Sequence, residues 1–138
     1  MTADDFITAQ EVMRLHARAL EDHGGGQGGD VECVEGRIGN ARLGAQYSPG
    51  DERLTSVVLL CYYLVQDHCF VDGNKRVGWY VLVEMLARQG LTLDLTDEEA
   101  IEMMLRIAGE GNDRPAPEEF ADWVAARLVS TEAGHETT

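Results

Sequence analysis

Residues 68–76 read HCFVDGNKR. This short stretch holds a histidine, a carboxylate, an amide and two adjacent cations, with a phenylalanine and a glycine between them. Imidazole takes up and releases protons near neutral pH, so His68 suits removal of a proton from an attacking hydroxyl. Asp72 lies four residues on. A carboxylate beside a phosphate is repulsive unless a divalent cation such as magnesium sits between them. Gly73 has no side chain and lets an anion approach the backbone. Asn74, Lys75 and Arg76 follow at what reads as a helix start, where free backbone N–H groups and the positive end of the helix dipole favour an anion. Cations are locally costly there, and a bound polyphosphate removes that cost. Lys75 is the sole lysine; the other ten of the eleven basic residues are arginines. Phe70 is expected to point inward and anchor the loop, with Cys69 and Val71 as packing residues. Each feature alone has a plain explanation: a helix-end histidine, an Asp-Gly turn, a solvated Lys-Arg pair. Their combination in so short a stretch points to phosphate chemistry.

The elements on either side must hold this loop. Residues 53–67 carry apolar side chains at three- and four-residue steps, and the opposite side is apolar too. This predicts a helix central to its domain, with Cys61 as a small core residue. Residues 68–73 read as a loop and residues 74–89 as a second apolar helix, stopped by Gly90. Upstream, residues 8–22 predict a helix with a capping box at Thr8 and Glu11. His16 lies near its apolar stripe and His23 just past its end; both read as surface or helix-end residues. GGGQGG at 24–29 reads as a flexible loop. Residues 30–52 are the least legible, because Gly36, Gly39 and Gly44 break any long helix. Short helical pieces, or a small hairpin forming a flap before the central helix, both fit. Arg37 and Arg42 are within reach of an anionic ligand, though solvated arginines are the simpler reading. After LTLDL, a short extended piece, Thr96 and Glu99 form a second capping box for a helix over 97–108. A turn follows, then a last helix from Pro117 to about Leu128. The expectation is an all-α domain of about six helices over 1–128, with a disordered polar tail at 129–138.

The bulk numbers limit the function classes. A chain of 138 residues with 44% hydrophobic content folds as one domain with a real core. Its net charge of −14 argues against general nucleic-acid binding, so an anionic substrate needs a local positive pocket. Solubility is the simple reading of the acidity, and steering of a basic partner protein is the other. No apolar run is long enough for a membrane span, and MTADDFITAQ shows no signal-peptide pattern. Cys33, Cys61 and Cys69 form no paired framework and no C-x-x-C spacing. That leads to the expectation of a cytoplasmic protein with reduced thiols.

HCFVDGNKR resembles the signature of the Fic/Doc superfamily, H-x-F-x-[DE]-[GA]-N-[GK]-R, and agrees at every fixed position. The order of elements over nearly the whole chain is similar to that of death-on-curing (Doc) toxins. The position of Lys75 separates two chemistries: Fic adenylyltransferases usually have glycine there, and Doc-type members have lysine. The resemblance implies that Lys75 reverses the bound nucleotide, so that the γ-phosphate of ATP faces the histidine and the protein is a kinase. The implied target is a threonine of elongation factor Tu, whose modification stops translation. By the same resemblance His68 is the general base, Asp72 holds Mg2+, and Gly73 and Asn74 supply the anion pocket. Lys75 and Arg76 bind phosphates and stabilise developing charge, and Phe70 anchors the loop. The chain lacks the S/T-x-x-x-E-G/N motif by which some Fic enzymes restrain themselves. Restraint would then fall to a separate Phd-like antitoxin of a type II toxin–antitoxin pair. Two departures bear on the target: the Gly-rich segment 31–45, and VGWY after Arg76, whose Trp79 and Tyr80 could alter the pocket. The alternatives are a Fic-type nucleotidyltransferase that AMPylates a protein hydroxyl, and an inactive partner-binding member.

Overall fold

The computed structural model describes residues 6–111 and 113–131. Its central element is a helix apolar on almost every side, which is stable only where neighbours cover it all round. Four helices, α1 (Ala9–His23), α2 (Val31–Gln46), α3 (Glu52–Asp67) and α4 (Asn74–Ala87), are followed by a strand, β1 (Leu91–Leu93). Then come α5 (Asp97–Ala108), α6 (Pro117–Ala125) and a second strand, β2 (Leu128–Ser130). Helix α3 buries Val57, Val58, Leu60, Cys61, Leu64 and Val65. α2 and α4 flank it, α5 and α6 cover further faces, and α1 lies against α4 and α2. The core is continuous through these helices, with Phe120 of α6 and Ile107 of α5 fully buried. The fold is mostly α, as expected.

The caps follow from the sequence. Thr8 and Glu11 close a reciprocal capping box on α1, and Thr96 and Glu99 another on α5. Asp51 caps α3 by accepting the Leu54 N–H at 3.0 Å. The close approach of α3 and α4 depends on Gly78. A Cβ there would run into Val65 Cγ2 and lie 3.1 Å from the Cys61 carbonyl oxygen.

Four expectations need correction. Residues 31–46 form neither short pieces nor a flap but one helix, α2. The Asp30 carboxylate caps it at Glu32 and Cys33, and Val34, Ala41 and Ala45 are buried. Each glycine costs a helix about 1 kcal/mol against alanine, which the cap and this buried face outweigh. The Gly-rich loop is not free. It runs antiparallel to the motif loop through a Gly29–Phe70 bridge, with Val71 N–H on the Gly28 carbonyl and Asp30 N–H on the Cys69 carbonyl. Cys33 and Cys69 form a disulfide, so the reduced-thiol expectation fails for this pair; Cys61 alone is free, and buried. Finally, Val129 and Ser130, assigned to the tail from the sequence, are paired in β2 with β1, in the register Leu91–Ser130, Thr92–Val129, Leu93–Leu128. Thr131 also leaves the expected tail, its N–H donating to the Gly90 carbonyl at 2.9 Å, and 132–138 lie outside the described residues. Among the described residues no helix is long and apolar enough to cross a membrane.

Candidate active site

The motif loop turns sharply between α3 and α4, and two left-handed residues make that possible. His68, the C-cap of α3, has φ 54° and ψ 53°; Gly73, the N-cap of α4, has φ 79°. Glycine takes this conformation without penalty, whereas a residue with a Cβ pays about 1–2 kcal/mol. His68 is the one non-glycine with positive φ among the described residues. Such strain persists only where the surroundings over-determine it, and it concentrates at functional sites.

Asn74 is the latch of the turn. Its side-chain oxygen accepts the Phe70 N–H at 3.1 Å and its amide nitrogen donates to the Phe70 carbonyl at 2.9 Å. The side chain is therefore committed to the loop, and what Asn74 can offer an anion is its backbone N–H. The same amide nitrogen lies 3.4 Å from His68 Nδ1, at the outer limit of hydrogen bonding. At that distance the contact constrains the ring only weakly. Phe70 is buried and stacks on His16 of α1, with centroids 3.9 Å apart and an interplanar angle of 17°.

Asp72 is exposed. Its Oδ2 accepts the Gly26 N–H at 3.2 Å and its Oδ1 the Gly73 N–H at 2.9 Å. These two backbone donors, Gly26 first, hold its carboxyl below the usual carboxylate range, and the Arg76 and Lys75 charges act in the same direction. The Gly-rich loop comes this close because Gly25 has no side chain: a Cβ there would sit 2.9 Å from Asp72 Oδ2.

Helix α4 starts with no side-chain cap and no acidic residue in its first turn. Lys75 and Arg76 occupy that turn and line a pocket of about 820 Å³ together with His68, Asp72 and Gly73. That volume is in the range of small-ligand sites. Lys75 Nζ pairs with Glu110 Oε2 at 2.6 Å across the mouth, both side chains being partly exposed. The far wall comes from α5 and is mostly apolar, through Ala100, Ile101, Met104 and Leu105, with Asp97 at its start. Trp79 and Tyr80 of α4 and His23 complete the lining, and the Tyr80 hydroxyl donates to Asp22 at 2.8 Å.

The structure thus gathers His68, Asp72, Gly73, Asn74, Lys75 and Arg76 at one pocket and places Phe70 behind it. Arg37 and Arg42 do not join them: Arg37 pairs with Asp67 at 2.7 Å, and Arg42 lies over the Phe6 ring. Sequence reasoning missed His16, Glu110 and the α5 wall. For His16 the signal was present: Ala9, Val12, His16 and Ala19 are the buried face of α1, and their 3-4-3 spacing puts the histidine in a core position. Glu110 and the α5 wall had no local signal.

Among the described residues no group of three or more His, Cys, Asp or Glu side chains could cage a metal ion. An exposed carboxylate such as Asp72, beside a helix start that carries two cations, suits magnesium, which is commonly held by one or two carboxylates together with substrate phosphates.

No curated protein matches the chain. The model of the Fic/DOC family matches residues 6–86, more than half of its length. That span runs from the start of α1 almost to the end of α4 and includes the whole motif loop; the chain belongs to the Fic/DOC family.

Proposed function

We propose that this family member is a Doc-type protein kinase and toxin. In this reading it transfers the γ-phosphate of ATP to a hydroxyl, a threonine of elongation factor Tu, and is restrained by a Phd-like antitoxin. Both the proposed target and the antitoxin belong to the cytoplasm. The observation that carries the reading is the first turn of α4. It has no cap and no acid, and two adjacent cations line a pocket that also contains His68. Lysine rather than glycine at position 75 favours phosphoryl over nucleotidyl transfer.

The residues divide the work as follows. The backbone N–H of Asn74, with Lys75 and Arg76, takes the phosphates at the positive end of α4, and Gly73, having no side chain, leaves them room to approach. His68 takes the proton of the target hydroxyl as that oxygen bonds to the γ-phosphorus. The bond to the β–γ bridging oxygen breaks and ADP leaves. Asp72 is the residue that would hold Mg2+, which when bound neutralises phosphate charge. Lys75 reaches the phosphates by releasing Glu110. The apolar α5 wall and Trp79 suit the nucleoside.

The test uses the purified protein, a bacterial lysate and ATP labelled on either the α- or the γ-phosphate. Transfer of γ-label to one protein, lost in His68→Ala, supports the kinase. Transfer of α-label instead establishes nucleotidyl transfer and overturns the kinase reading. No transfer of either label, with ATP shown to bind, leaves a partner-binding member.

A further inference from the structure

The loop that carries the site is held from behind by a residue that no part of the motif contains. We propose that His16 of α1 is a positioning residue for this site, fixing the plane of the Asp72–Gly73 peptide and with it the direction in which the Asp72 carboxylate faces the pocket. The inference deepens the proposed function and rests on it for its catalytic consequence.

His16 is 5% exposed, one of three buried polar or charged side chains among the described residues. Its Nε2 lies 2.7 Å from the Asp72 carbonyl oxygen. A carbonyl can only accept, so Nε2 carries the hydrogen and donates it. Its ring face lies flat on Phe70. The histidine therefore grips the loop at two points, one apolar and one polar. Gly73 lies directly against the ring: a Cβ there would be in van der Waals contact with His16 Nε2, at 3.4 Å.

A trans peptide points its C=O and its N–H in opposite directions. With the Asp72 carbonyl turned back onto His16, the Gly73 N–H must face the other way. There it meets Asp72 Oδ1 at 2.9 Å. One buried hydrogen bond thus sets the donor that orients the carboxylate. Without it, this peptide would be free to rotate about the soft dihedrals on either side, and glycine on one side resists little. Asn74 does not supply this restraint, because its two hydrogen bonds go to Phe70. Gly26 restrains only the other carboxylate oxygen.

Two substitutions separate the grips. His16→Phe keeps an aromatic face for Phe70 and removes the donor. His16→Gln restores an N–H donor of similar reach and removes the ring. Backbone 15N relaxation of Gly73 reads the outcome without any catalysis. The amide order parameter should be rigid in the wild type, about 0.85, fall towards about 0.6 in His16→Phe and recover in His16→Gln. In the transfer assay the Mg2+ concentration for half-maximal rate should rise about tenfold in His16→Phe, with kcat changing less, and return in His16→Gln. A role in packing alone would lower the melting temperature and move neither quantity. An unchanged Gly73 order parameter in His16→Phe, or no recovery in His16→Gln, overturns the proposal. So does a wild-type imidazole 15N spectrum in which Nε2 carries no proton, a measurement that needs no variant. If the wild type transfers no phosphate, the proposed function fails and the relaxation data still decide His16.

Discussion

At the scale of single residues the site is a set of compromises between stability and chemistry. His68 occupies a left-handed conformation that glycine would adopt freely. His68→Gly should abolish transfer, because the proposed proton acceptor is gone, and hold or raise stability by up to about 1 kcal/mol, the relief of strain being partly offset by the greater unfolded-state freedom of glycine. Denaturant titration beside the label assay checks both halves; a clear loss of stability would show that the strain account is wrong. The Lys75–Glu110 pair is the second compromise. Both partners are partly exposed, so the pair contributes no more than about 1 kcal/mol. In the proposed function this carboxylate competes with phosphate for the same ammonium. Glu110→Gln should lower the KM for ATP by up to about fivefold and leave the melting temperature nearly unchanged. A KM that rises instead would mean that Glu110 helps to hold the nucleotide.

At the scale of elements, the sequence predicted helices where periodicity and caps agreed and misjudged them where glycine intervened. Helix α2 forms despite Gly36, Gly39 and Gly44, because Asp30 caps its start and α3 covers its apolar face. At Gly44 a Cβ would lie 3.2 Å from Leu59 Cδ1, so that glycine also serves the packing of α2 on α3. Gly78 does the same for α3 and α4 with less room to spare. Gly78→Ala should therefore destabilise by about 1–3 kcal/mol through overpacking, against a helix-propensity gain of about 1 kcal/mol. Because α4 begins with the turn proposed to face phosphate, the shift should also weaken ATP binding. Thermal unfolding and equilibrium ATP binding check the two effects; an unchanged or raised melting temperature would show that the crossing has slack.

At the scale of the whole molecule, the disulfide is the feature with most leverage. It joins the first turn of α2 to the residue between His68 and Phe70, across a sequence separation of 36. Loop-closure entropy at this separation gives about 4 kcal/mol of stabilisation. Reduction should lower the melting temperature by roughly 10–15 °C at this chain length. The Cys33→Ser, Cys69→Ser double variant should match the reduced protein. Scanning calorimetry with and without a dithiol checks this, and identical curves would remove the disulfide from any account of stability. Cys61 should take no part, because complete burial pushes its thiol far up and shields it. Because the bond ties the motif loop to α2, the same contrast shows how firmly that loop is held with and without it.

The sequence by itself determined the helices, their caps, the central place of α3 and the motif with its charge logic. All of these depend on residues within a few positions of one another, where helical periodicity and end chemistry act. The tertiary structure alone decided the Cys33–Cys69 bond, the pairing of β1 with β2, the docking of the Gly-rich loop on the motif, the Glu110 contact with Lys75 and the α5 wall. His16 stands between the two classes: its spacing showed that it would be buried, and only the packing of α1 beside the motif loop showed what it would hold. Contacts separated by 35 to 56 positions follow from how the helices pack around α3, and no local pattern records which partner a side chain will meet.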